Sequence, residues 1–154
     1  MKLLASIGAF AAVAATLALA SGGAAATGTT YTITTVKQQG STWVAGGGKA
    51  MHQGRLSAGD QLFETNTIRR SDGKTGRFIG TVVVASPGTV TASAAVGLLR
   101  AIYRFADGDV YVDGSVAFAT GAGSGVIVGG TGTYAGAHGT LSSTGSKDLL
   151  RLDL

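Results

Sequence analysis

The sequence predicts an all-β protein of about eight antiparallel strands, closed into a barrel or folded as a sandwich. Three observations predict it. Short β-branched and aromatic runs alternate in polarity with period two. Gly, Asp and Ser separate these runs, with Asp-Gly pairs at Asp72-Gly73 and Asp107-Gly108. Beyond the N-terminal apolar segment, no stretch holds a helical period.

That first segment, residues 1–26, has the layout of an export signal. Lys2 gives a positive start, Leu3 to Leu19 is apolar, and Ala18-Leu-Ala20 and Ala24-Ala-Ala26 offer cleavage sites after residue 20 or 26. A single membrane anchor competes, but Ser6, Gly8 and Thr16 interrupt the run. The expectation is a secreted, extracellular protein with no membrane association after cleavage. The mature chain, roughly 130 residues, suffices for one domain with one core. Within it, residues 27–58 supply an N-terminal strand and loop, and residues 59–154 the core of the same domain.

"TYTITTVK" alternates and reads as a strand, whereas "GSTWVAGGGKAMHQGRLSAG" reads as loop with a short strand at Trp43. "DQLFETNTIRR" and "GRFIGTVVVAS" flank "SDGKT" as a hairpin, and Pro87 marks the next turn. "VGLLRAIYRF" and "DVYVDGSVAF" form a second hairpin about "ADG". "GVIV", "GTLSSTG" and "KDLLRLDL" complete the set. Parity puts Leu99, Ala101, Tyr103 and Phe105 on one face, opposite Arg100 and Arg104, and groups Val110, Val112, Gly114, Val116 and Phe118 in the partner strand. Pairing the terminal strand back onto the sheet would remove a free edge.

The stretch "GVIVGGTGTYAGAHG", residues 125–139, imitates a dinucleotide fingerprint, and Asp153 even stands about 20 residues on, where a ribose-binding acid belongs. A true fingerprint opens a helix whose N-terminus meets the pyrophosphate. "AHGTLSSTGS" is broken by glycine and is not a helix. These glycines are better suited to turns, bulges and positive backbone angles.

Composition excludes several chemistries. The chain has no cysteine, hence no disulfide and no thiolate. With His52 and His138 as its two histidines, it suggests no metal site, and no cofactor is expected. Twelve basic residues against eight acidic give a mildly positive chain. The densest basic stretch, Arg69 to Arg77, reads as a solvated hairpin tip without interleaved aromatics, so nucleic acid is not expected as a partner. Ser115 and Ser124 do not complete a nucleophile elbow. Asp107, Asp109 and Asp113 lack the glutamate that closes a calcium loop.

"VIVGGTGTYAGAHG" resembles the C-terminal glycine signature of the dirigent and allene oxide cyclase families. In the same order, "TGRFIG", "LLRAIYRF" and "DGDVYVDGS" extend the resemblance over roughly residues 59–154. It implies an eight-stranded antiparallel barrel, and the signal-bearing layout resembles secreted bacterial members of this superfamily. It also implies a site. Allene oxide cyclases carry a buried glutamate and, two residues on, an asparagine that holds a substrate-binding water; "LFETN" matches these with Glu64 and Asn66. Dirigent proteins carry an aspartate near Asn66. The cyclase's tyrosine falls at or near Val116 and its catalytic proline has no counterpart around Ser71 to Gly73, so plant-type allene oxide cyclase activity is not expected. Arg77 matches a dirigent arginine, and His138 stands where dirigents often carry one; both are expected at the surface or rim. The superfamily further implies a homotrimer.

Glu64 and Asn66 are therefore the candidate catalytic residues. Tyr103, Leu99, Phe105, Val116 and Phe78 are the candidate ligand-binding residues. Parity leaves the inward face of this strand open: Leu62, Glu64, Asn66 and Ile68 share one face, and Phe63, Thr65, Thr67 and Arg69 the other. The preferred expectation is a barrel that binds or orients an apolar small molecule inside. A cofactor-free cyclase or isomerase using Glu64 as acid or base is the alternative, and a structural or interaction domain with a filled barrel the third.

Overall fold

A computed structural model of the chain describes residues 28–46, 55–89 and 95–154. The signal-like segment and His52 lie outside the described residues. In chain order the strands are β1 Thr29–Val44, β2 Arg55–Leu56, β3 Gln61–Arg70, β4 Thr75–Ser86, β5 Gly88–Thr89, β6 Val96–Phe105, β7 Gly108–Ala117, β8 Ala122–Gly130, β9 His138–Thr144 and β10 Lys147–Asp153. Eight of them close an antiparallel barrel in the order β1-β10-β9-β8-β7-β6-β4-β3, and the two-residue β2 and β5 pair with each other beside it. Between barrel and sandwich, the chain is a barrel, and the last strand does close it by pairing with β1. Among the described residues, no helix is long and apolar enough to cross a membrane.

The hairpins follow the turn chemistry. Gly73 turns with φ of 90° between β3 and β4, and Gly108 with φ of 144° between β6 and β7. The glycine-rich stretch is a strand followed by a tight turn. Its register against β7 shifts between Tyr111 and Val112, which leaves Val128 as the extra, bulged residue. Gly132, at φ of 60°, opens a 3-10 turn over Gly132–Tyr134, and a Cβ there would collide with the Asp107 carbonyl oxygen. The chain then enters β9, so no helix N-terminus is offered to a phosphate.

β1 departs from the sequence reading. It runs through the whole of "QQGSTWV" instead of ending near Lys37. Pairing with β3 from Ile33 to Val44 holds it extended, and register shifts at Val36 and Gln39 each insert one residue. Each insertion flips the side-chain parity, which is why the period-two pattern is lost there. β10 follows β1 only as far as Thr34. From Thr35 onward β1 is paired with β3 alone among the described strands, and every residue from Thr34 to Thr42 is exposed.

Two apolar clusters fill the barrel's ends. The larger includes Ile33, Ile68, Tyr103, Val110, Ile127 and Leu150, with Phe78 and Leu99 packed against it. The smaller joins Leu56, Val84 and Ala95 to Trp43 and Phe118, whose rings tilt together at 5.7 Å. Beside it the buried Asp60 carboxylate accepts from the Gly46 and Ser57 amides, both at 2.8 Å, and so ties the chain on either side of β2 to the barrel.

Candidate functional site

Opposed residues of antiparallel strands share a face, so the register determines what points inward. Ile68, Asn66 and Glu64 of β3 oppose Gly76, Phe78 and Gly80 of β4, which continue to Tyr103 and Ala101 of β6. Ile68, Asn66, Ala101 and Tyr103 are buried, and Glu64 is half-buried. The face left open by parity is thus the inner one, and Glu64 turns with it. Its Oε1 accepts a hydrogen bond from Asn66 Nδ2 at 2.8 Å.

Asp148 of β10 opposes Ser143 and the buried Ile33, which places it inside as well. Tyr103 Oη donates to its Oδ2 at 2.8 Å, and the Ser143 side chain adds a second hydrogen bond. Burial pushes the Asp148 carboxyl above the ordinary aspartate range against those two bonds. Burial also pushes the Tyr103 hydroxyl well above its usual range, reinforced by Asp148 and by Glu64. Tyr103 keeps its proton, and Asp148 is biased toward keeping one. The Phe78 ring meets Tyr103 edge-on at 5.3 Å, holding the phenol in place.

The interior therefore carries two hydrogen-bonded pairs, Glu64–Asn66 and Tyr103–Asp148. Asn66, 6% exposed, is left with its Oδ1 unpartnered among the described residues. Burial varies along the axis. It is high at both ends, at Phe105, Leu152 and Tyr134 and again at Leu56, Val84 and Ala95, whereas Leu62, Glu64, Leu99, Val116 and Ser143 on the inner face are half-buried. Two concavities, of about 260 and 270 Å³, lie on the outer surface, one over β1, β9 and β10 and one over β1, β3 and β4. Glu64 borders the second between outward-facing Phe63 and Thr65, but its bond to Asn66 directs the carboxylate inward.

The sequence-predicted residues do not all gather. Glu64, Asn66, Tyr103 and Phe78 come together, and Leu99 lies on the same inner face. Val116 opposes Gly97 and Gly123 toward the Trp43–Phe118 end. Phe105 belongs to the sealed end, where the Arg70 guanidinium lies 5.0 Å from its ring centre. Arg77 and His138 are exposed, as expected. Asp148 was not anticipated, although its parity with Leu150 and Leu152 carries the signal.

Arg70 corrects the reading of residues 69–77 as a wholly solvated tip. It shares parity with Ile68, is 2% exposed, and closes one end of the barrel. Its guanidinium lies 4.3 Å from the Tyr31 ring centre and 5.8 Å from that of Tyr134. Asp72 at 2.6 Å and Asp107 at 3.1 Å neutralise it, and Lys74 reaches the same Asp107 oxygen at 2.7 Å. The aromatic stack and the paired charges make burial of this cation tolerable.

Among the described residues, no group of three or more His, Asp or Glu side chains could hold a metal. No family model and no curated protein matches the chain. Among solved structures, it is similar to one named pyocyanin demethylase, with 19% identity over 80% of this chain and 99% of that chain and a TM-score of 0.63. At that identity the likeness is one of fold, and the two chains share the barrel.

Proposed function

We propose that the protein is a small-molecule barrel that binds and orients an apolar compound on its inner face, the function implied by its resemblance to dirigent and allene oxide cyclase-like proteins. One observation carries this reading: Glu64, Asn66, Tyr103 and Asp148 form two hydrogen-bonded pairs on the inner face of the barrel, among apolar neighbours such as Phe78, Leu99 and Ala101. A core serving stability alone would be cheaper without them, because burying polar groups costs free energy even when they are paired. Half-burial of Leu99 and Glu64 marks the part of the interior that a ligand would occupy. The solved barrel named for demethylating pyocyanin is compatible with this reading, as the same frame serves a small molecule there. Export and a homotrimer belong to the same proposal. Outward-facing Leu98, Val126 and Val128, each more than half exposed, supply apolar surface for assembly. Sedimentation at a monomer's mass would remove the trimer.

The test is saturable uptake of a neutral apolar fluorophore, N-phenyl-1-naphthylamine. Leu99→Trp fills the inner face and Leu98→Trp the outer, so the first should abolish uptake and the second preserve it. Uptake indifferent to Leu99→Trp, in a chain whose circular dichroism is unchanged, would overturn interior binding.

A second reading, a cofactor-free cyclase or isomerase, is favoured by Asp148. Burial holds that carboxyl toward its protonated form beside Tyr103, while Glu64 offers a second carboxyl on the same inner surface. Under this reading Glu64→Gln binds ligand and loses turnover.

A further inference from the structure

The polar groups inside the barrel are unbalanced in a way that specifies a ligand. Glu64 is a carboxylate, the Asp148 carboxyl is already held by Tyr103, and Asn66 Oδ1 is an acceptor without a partner among the described residues. The asparagine's orientation is fixed by its neighbour. A carboxylate only accepts, so the amide nitrogen must face Glu64 and the oxygen must face away. The Tyr103 hydroxyl is already committed to Asp148. Acceptors thus outnumber free donors on this surface.

Charge is unbalanced in the same sense. The chain as a whole carries a net charge of +4, yet the described residues that oppose the Glu64 carboxylate on the inner face are neutral. β4, β7 and β8 contribute apolar residues and glycine there, and β1 places Gln38 and Ser41 opposite Asn66 and Glu64. Arg70 is the inward cation among the described residues; at the sealed end its Nε and Nη2 are bound to Asp72 and Asp107, and its buried Nη1 is the one unpartnered side-chain donor there. A buried acceptor beside the Glu64 carboxylate, with no counter-cation among the described residues of this surface, is disfavoured alone and strongly favours a cationic donor.

We infer that the ligand is an organic ammonium: an apolar body bearing a protonated primary or secondary amine, whose N–H groups donate to Asn66 Oδ1 and the Glu64 carboxylate. The inference rests on the interior-binding reading above and narrows it. Donation to Asn66 requires an N–H, so a fully alkylated ammonium of the same charge is a poor substitute. A carboxylate-bearing ligand meets like charge and is rejected.

The test compares 2-phenylethylammonium, 2-phenylethanol, 2-phenylethyltrimethylammonium and 3-phenylpropanoate, which share one apolar body, by calorimetry and by NMR shifts of the Leu99 methyls. The ammonium should bind at least about tenfold tighter than the alcohol and the trimethylammonium, as charge-assisted hydrogen bonds require, and the carboxylate should not bind. Glu64→Gln should bring ammonium and alcohol within about threefold of each other, and Glu64→Ala serves as the second variant if the first does not fold. Equal or tighter binding of the alcohol, the trimethylammonium or the carboxylate overturns the ammonium proposal and leaves the barrel reading standing. So does uptake of N-phenyl-1-naphthylamine with no binding of the four phenyl compounds. Failure of all five probes overturns both.

Discussion

Tyr103 on β6 donates its phenolic hydrogen across the full width of the barrel to Asp148 on β10. The distance is 2.8 Å, between residues 45 apart in sequence. Three strands separate β6 from β10 on either side, so the bond spans opposite walls. Tyr103→Phe removes one donor and leaves a buried carboxyl short of a partner. Unfolding in urea should show a loss of about 1–3 kcal/mol, the cost of an unsatisfied buried group. A loss near zero would mean that water replaces the hydroxyl freely.

Asp148 sets a pH dependence of its own. Burial raises its folded pKa above the ordinary 3.8, so the folded state holds the proton more tightly than the unfolded chain. Its contribution to stability is complete below 3.8 and is lost as the pH rises through the raised folded value. In Asp148→Asn this fall should vanish, giving a flatter stability profile above pH 3.8. Thermal unfolding from pH 4 to 8 on both proteins checks it, and parallel profiles would refute it.

The sealed end responds in the opposite direction. Arg70 holds Asp72 down to about 2, chiefly through their hydrogen bond, and Asp107 is also lowered through Lys74 and Arg70 despite an opposing effect of burial. These carboxylates stabilise the fold above 3.8 and lose that contribution as the pH falls toward 2. Arg70→Ala should remove most of the Asp72 share of this acid limb and leave the part of the Asp107 share that Lys74 supplies. It should also cost about 2–3 kcal/mol at neutral pH, less than a fully buried pair because Asp72 and Asp107 keep some access to water. Urea unfolding at pH 3 and pH 7 reads both effects.

The glycine stretch makes the last prediction. Gly132 sits at φ of 60° with the Asp107 carbonyl where a Cβ would go. Gly132→Ala should therefore destabilise by about 1–2 kcal/mol from backbone conformation alone, more if the Asp107 turn must move. The unaltered protein should show no shift in melting temperature with NAD or ATP. A clear shift would restore the nucleotide reading.

Much of the barrel was legible because its turns are local. The Asp72-Gly73 and Asp107-Gly108 pairs, with alternation on β6 and β7, fix two hairpins without tertiary information. β1 beyond Lys37 was illegible for the converse reason. Its Ser, Gly and Gln residues have weak strand preference, its bulges break the period, and it is extended because β3 lies beside it. The candidate site divides similarly. Parity grouped Glu64 with Asn66, but which face was inner depended on closure. Arg70 looked like a hairpin-tip charge until Tyr31, Phe105 and Tyr134, from three other segments, assembled around it.

The long β1 also bears on how molecules of this protein avoid one another. From Thr35 to Val44, half of its main-chain amides and carbonyls point away from β3, toward no described strand. Such a row templates cross-β stacking between chains. The two inserted residues, Val36 and Gln39, throw that row out of line, and exposed Lys37 between them sets charge against charge in any stacked pair. Irregularities that hid β1 in the sequence thus act as gatekeepers against fibre growth, and deleting Val36 and Gln39 together would straighten the strand into an aggregation-prone edge.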